Sequence, residues 1–97
     1  MEISVSPNNV VITGNIKTVN DYRQIKESLD NLTQNHKHII ITTQDSISIT
    51  SSVIGYLNKL VLKDKIDIEI KVGDAQLMEL FEDLNLVSLF KVKRYRK

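Results

Sequence analysis

Two periodicities alternate along this chain, and their order limits what it can fold into. Val10-Val11-Ile12-Thr13, Ile39-Ile40-Ile41-Thr42-Thr43 and the stretch from Ile66 to Val72 are short β-branched runs. Such runs favour a pleated, half-buried or buried strand. Each is followed by a segment whose apolar residues recur every three or four positions, the spacing of one helix face. Val19, Tyr22, Ile25, Leu29 and Leu32 form the first stripe. They predict a helix over about Asn20 to Gln34, capped by Thr18 or Asn20 and ended by Asn35-His36-Lys37. Ile54, Leu57, Leu60 and Val61 predict a second helix over about Ser52 to Lys63, closed by Asp64-Lys65. Leu77, Leu80, Phe81 and Leu84 predict a third over about Ala75 to Asp83, introduced by Gly73-Asp74. Strands separated by helices are joined by crossovers, and crossovers join parallel neighbours.

The remaining segments complete the plan. Ile3 and Val5 alternate with polar residues, Pro7-Asn8-Asn9 carries turn chemistry, and Val10 to Thr13 follows, which together predict an N-terminal antiparallel hairpin. Ile39 to Thr43 is continuously apolar and β-branched, the pattern of a central strand covered on both faces. Ile47 and Ile49 alternate, so that segment reads as an apolar strand running into Thr50-Ser51-Ser52. Ile66, Ile68, Ile70 and Val72 alternate with Asp67, Glu69 and Lys71, as in a strand with one wet face near a sheet edge. Leu86, Val87, Leu89 and Phe90 form an apolar connection to a last, polar strand over Lys91 to Tyr95. The expected architecture is a single α/β domain over residues 1–97, in the order β-β-α-β-α-β-α-β, with a mixed sheet of about five strands and three helices.

Composition narrows the function classes. The chain has no cysteine, which excludes disulfides and thiol chemistry and fits a reducing cytoplasm. Thirteen basic residues against twelve acidic ones leave a net charge of +1, which makes no electrostatic case for a nucleic-acid partner. No apolar run approaches the ~20 residues that cross a bilayer. Met1-Glu2-Ile3-Ser4-Val5 lacks the basic segment and apolar core of a secretory signal, so the expected location is the cytoplasm.

Chemistry concentrates at the entrance of the second helix. A helix N-terminus presents unpaired N–H groups and a partial positive charge. A serine there serves as an N-cap or, equally well placed, as a carrier of phosphate. Ser51 holds that position, with Ser52 beside it. A hydrolase would need a histidine and an acid positioned on the serine. His36 and His38 fall at a helix–strand junction, at the opposite end from the strand C-termini, and no Gly-x-Ser-x-Gly elbow occurs. As a metal pair these histidines are two ligands, too few without a cysteine, and no Gly-x-Gly-x-x-Gly or P-loop occurs, so neither a metal nor a cofactor is expected. Gly14 and Gly73 read as turn glycines. Gly55 lies inside a helix at a cost of ~1 kcal/mol against alanine, for close packing on the sheet or for a flush partner surface. Lys91, Lys93, Arg94, Arg96 and Lys97, with Tyr95, read as a solvated, edge-protecting strand end. Glu79, Glu82 and Asp83 read as the wet face of the third helix and not as a catalytic carboxylate pair.

Four local features, with the element order, resemble the STAS domain, the fold of the bacterial anti-sigma factor antagonists. They are the strand ending in Gly14-Asn15-Ile16, Ile39-Ile40-Ile41 leading into Asp45, Thr50-Ser51-Ser52-Val53-Ile54-Gly55, and Leu77 to Leu86 followed by Phe90-Lys91-Val92. The resemblance covers about Ile3 to Tyr95. It implies a non-enzymatic module that binds a serine-kinase-type anti-sigma factor and is switched by phosphorylation. Carried over by position, Ser51 is the phosphoacceptor, with Ser52 the alternative. The implied partner surface is Thr50, Ser51, Ser52 and Ile54, with Gly14, Asn15 and Lys17 beside it. Thr50 stands where the family usually has aspartate, Val53 where it often has glycine, and Lys17 where an acidic residue is common. The residue at position 50 favours the alternative, a STAS adaptor or oligomerisation module that is never phosphorylated, such as a homodimer subunit. A third reading is a small ligand or nucleotide held by the polar strand ends.

Overall fold

The computed structural model describes residues 1–95; Arg96 and Lys97, the end of the basic tail, lie outside the described residues. The elements are β1 (Glu2–Ser6), β2 (Asn9–Thr13), α1 (Val19–Thr33), β3 (His38–Thr43), α2 (Ser51–Leu62), β4 (Asp67–Val72), α3 (Ala75–Asp83) and β5 (Val92–Arg94). The strands form one mixed sheet in the order β1-β2-β3-β4-β5. β1 and β2 pair antiparallel across Pro7-Asn8, and the other three pairings are parallel. This is the α/β order that the alternating periodicities predict.

Strand order decides where the helices lie. Each crossover moves one strand further along the sheet in the same direction. A right-handed crossover that always steps the same way always places its helix on the same face. One apolar core results, in which Ile25 and Leu29 of α1, Val53 and Leu57 of α2, and Leu77 and Phe81 of α3 meet the strands. Across the sheet, Val10, Ile41, Ile70 and Val92 are successive neighbours on that face.

The expectation that β3 is covered on both faces is therefore corrected. Ile40 and Thr42 point away from the helices, Ile40 between Asn9 and Glu69 and Thr42 between Val11 and Lys71. A continuous β-branched run identifies a strand, but a second cover would require a crossover stepping the other way. The open face carries an ionic ladder instead. Asp67 accepts from Lys91 at 2.6 Å and pairs with His38 Nδ1 at 2.9 Å, and Lys93 lies 3.4 Å from Glu69. The Lys91 hydrogen bond, followed by that of His38, holds the Asp67 carboxyl below the usual range. Lys91, Lys93 and Arg94 of the basic tail thus sit on internal partners, the Arg94 guanidinium donating to the Gly73 carbonyl at 3.3 Å.

The helices form for the local reasons foreseen, with three shifts. Thr18 caps α1 in a capping box with Asp21. Val19, placed in the apolar stripe, is 69% exposed, because it is the first helical residue and precedes the turn that reaches the sheet. The buried face of α2 is rotated from the expected one. Val53, Tyr56, Leu57 and Leu60 are buried, while Ile54 and Val61 are half-buried on its flank. Tyr56 causes the rotation: its ring packs edge-on against Tyr22 at 6.5 Å between centroids, and its hydroxyl donates to Asp30 of α1. Burial and then the Asp30 carboxylate push this phenol far above its ordinary range. α3 spans the predicted residues, and Asp74 caps it by accepting from the Gln76 N–H at 2.7 Å. It ends in a Schellman turn, with Leu86 N–H on the Phe81 carbonyl, Asn85 N–H on the Glu82 carbonyl, and Asn85 at φ 58°. Leu84 is the C-cap of that turn and is 46% exposed, outside the stripe that predicted it.

Candidate functional site

β2 and β3 are parallel neighbours, so the loops that leave their C-terminal ends emerge side by side. The sequence expects a strand at Ile47 and Ile49; the structure has an irregular loop there, from the end of β3 to the start of α2. No neighbouring strand is on offer at that point, and the loop bonds instead to the one after β2. Gly14 N–H donates to Asp45 Oδ1 at 2.7 Å, Ser46 Oγ donates to the Gly14 carbonyl at 2.6 Å, and Ile47 N–H donates to Asn15 Oδ1 at 3.1 Å. Gly14 adopts φ +88°, the left-handed region in which its missing side chain is an advantage. Two of the residues expected to meet a partner, Gly14 and Asn15, thus hold the two loops together.

Lys17 follows in the same loop, and its side chain is exposed. Its backbone N–H, and that of Thr18, donate to Asp21 Oδ2 at 2.9 and 3.1 Å. These two backbone bonds hold the Asp21 carboxyl below its usual range. Lys17, Thr18, Val19 and Tyr22 face Thr50 and Ser52 across a shallow cavity of about 300 Å³. The structure thereby brings Lys17, Thr50 and Ser52 around one depression between the entrances of α1 and α2. Ser51 is exposed as the first residue of α2, and Ile54 is half-buried one turn on.

The capping of α2 differs from expectation. Thr50, not Ser51, is the N-cap, and its Oγ1 accepts from the Val53 N–H at 3.3 Å. The helix therefore begins one residue earlier than predicted, and the Ser51 hydroxyl is left out of the cap. Its first turn holds no acidic residue, so the partial positive charge of the helix start is not offset there. Thr50→Ala is expected to lower stability by ~1 kcal/mol, and Ser51→Ala by no more than a few tenths. Urea unfolding midpoints of the two variants check the assignment.

Asp21, Asp45 and Ser46 shape this surface and are not among the residues predicted for it. Asp21 was legible from the Thr18-x-x-Asp21 spacing of a capping box. Ser46 is fully buried, and no pattern in the chain distinguishes it from a surface serine. The remaining glycines separate by cause. A Cβ on Gly73 would fall 2.1 Å from the Gln44 carbonyl oxygen, so this position is glycine for close approach and not for a turn conformation. A Cβ on Gly55 would meet nothing within 4 Å, which removes the sheet-packing explanation.

His38 begins β3, while Ser51 follows the far end of that strand. The five residue steps from His38 to Thr43, at about 3.3 Å each, put roughly 17 Å of strand between that histidine and the end from which the loop to Ser51 departs. Among the described residues no group of three His, Cys, Asp or Glu side chains could hold a metal ion. No helix among them is long and apolar enough to cross a membrane. Comparison of the chain with protein-family models and with curated proteins finds no match. The fold and the site define a class by themselves: a two-layer α/β domain in which the loops after β2 and β3 build one polar surface at the mouth of α2.

Proposed function

We propose that this chain is a STAS-type protein-binding module that acts in the cytoplasm as an anti-sigma factor antagonist. Its partner is an anti-sigma factor of the serine-kinase kind, and it catalyses nothing itself. The observation that carries this reading is the state of Ser51. Its side chain is exposed at the first position of α2, Thr50 has taken over the cap, and no carboxylate occupies the first turn. A phosphate there adds roughly two negative charges where the helix start favours an anion. The same charges break a docked surface through repulsion and unpaired, desolvated charge. Thr50, Ser51, Ser52 and Ile54 form the contact, with Lys17 across the cavity and Gly14 and Asn15 holding the loop beneath. Gly55, exposed with open space above it, lets a partner approach the helix backbone.

The second reading, an adaptor that is never phosphorylated, has Thr50 in its favour, since the family's usual aspartate is absent. One experiment separates the two. Wild-type and Ser51→Ala proteins are expected to capture the same protein from native lysate, and Ser51→Asp to lose it. Tryptic mass spectra of the native protein are expected to carry phosphate on the peptide containing Ser51. Binding retained by the Asp variant, with no phosphate on that peptide, establishes the adaptor instead.

A further inference from the structure

The two edges of the sheet are not protected alike. β5 has three residues, two of them Lys93 and Arg94, with Lys91 just before it. A short, charged edge resists pairing with another chain. β1 has five residues, runs in unbroken one-to-one register with β2, and carries a single charge at Glu2. Four of its five residues are exposed. Val5 is 50% exposed, although it lies opposite the buried Val10 on the helix-covered face.

The backbone of β1 can be assigned group by group. Ile40 N–H donates to the Asn8 carbonyl and Gln44 N–H to the Ile12 carbonyl, so Asn8, Val10 and Ile12 direct their polar groups toward β3. Asn9, Val11 and Thr13 direct theirs toward β1, where they face Ser6, Ser4 and Glu2. Paired residues in an antiparallel ladder alternate between bonded and non-bonded. Ile3 and Val5 therefore turn their N–H and C=O groups outward, to an edge with no neighbour among the described residues.

We infer that this edge pairs with the same edge of a second copy of the chain, antiparallel about a two-fold axis at Ser4. In that register Ile3 and Val5 of each copy exchange both backbone hydrogen bonds with Val5 and Ile3 of the other. Val5 gains an apolar neighbour on the helix side, Ser4 faces Ser4, and Glu2 faces Ser6, so no like charges oppose each other. A shift by one bonded pair toward the turn would set Ile3 against Pro7, which has no N–H to give. A shift the other way leaves Ser6 without an opposite residue inside the strand. The strand is thus self-complementary in one register, as an isologous contact requires. The two sheets join into a ten-stranded surface with all six helices on one side.

The test uses charge on the axis. Ser4 is exposed and its backbone bonds stay within the chain, so Ser4→Lys and Ser4→Glu are expected to fold, which circular dichroism checks. Sedimentation equilibrium is expected to show a dimer for the wild type. Each variant alone is expected to weaken it about fivefold or more, because like charges then sit directly opposite. An equal mixture of the two variants is expected to recover dimer. Val5→Pro, which removes an outward N–H, is expected to weaken it as well. A wild type that remains monomeric at ~1 mM, the weakest affinity such an edge would have, overturns the inference and leaves the edge to an extended segment of another protein. Variants that dimerise as the wild type does also overturn it, by placing the interface elsewhere.

Discussion

Gly73→Ala is expected to destabilise the protein by ~3 kcal/mol, while the same substitution at Gly55 is expected to stabilise it by up to ~1 kcal/mol. At position 73 the new Cβ would sit 2.1 Å from the Gln44 oxygen, 2.9 Å from the Gln44 carbonyl carbon and 3.1 Å from the Thr43 oxygen. All three are backbone atoms, which cannot swing aside as a side chain does. The Gly73 N–H also donates to Thr43 at 2.7 Å, so separating the strands to relieve the clash would cost that bond. Gln44 leads directly into Asp45 and Ser46, which hold the loop after β2. The damage is therefore expected to reach the mouth of α2. At position 55 an added methyl meets open space, and alanine loses less backbone entropy in a helix than glycine. Urea unfolding of both variants checks the pair of signs. If Gly55 is also the flush contact proposed above, the stabilised variant is expected to bind its partner more weakly.

Phe81→Ala is expected to cost ~3–5 kcal/mol, enough to leave a domain of ordinary stability close to its unfolding threshold. Phe81 is buried on α3 and reaches a core region lined by Ile12 of β2, Ile41 of β3, Val53 and Leu57 of α2, and Ile70 of β4. Its ring meets that of Phe90 edge-to-face, with centroids 6.3 Å apart and planes at 89°. Phe90 sits in the turn that feeds β5, so the aromatic pair ties α3 to the last strand. Leu84→Ala, three residues away, is expected to cost no more than about 1 kcal/mol, since that residue is 46% exposed and leaves no enclosed cavity. Thermal and urea unfolding of the two variants, side by side, measure the contrast.

Much of the architecture was legible because local chemistry and global order agree. The stripe of α1 with its Thr18 cap, the range of α3 with its Asp74 cap, and the alternation of Ile68, Ile70 and Val72 against Glu69 and Lys71 each describe one element without reference to any other. Misreadings arose where a residue serves two neighbours. Ile47 and Ile49 have strand spacing, but the loop they occupy is held by Gly14 and Asn15, more than thirty positions earlier in the chain. Ile54 fits a helical stripe as well as Val53 does, and Tyr56, bonding to Asp30 on another helix, selects the face that is buried. At the site, hydroxyls at a helix start were visible in the chain, whereas the choice of Thr50 over Ser51 as the cap depended on the angle at which the loop enters.

The chain by itself determined the order of the three helices and five strands, the false strand at Ile47 and Ile49 apart, because periodicity, β-branching and caps act over a few residues. Only the tertiary structure decided that all three helices share one face, that Gly73 stands where another backbone passes, and that Ser51 is free of the cap. Each of these depends on which distant segment arrives beside a residue, and sequence spacing carries no term for that.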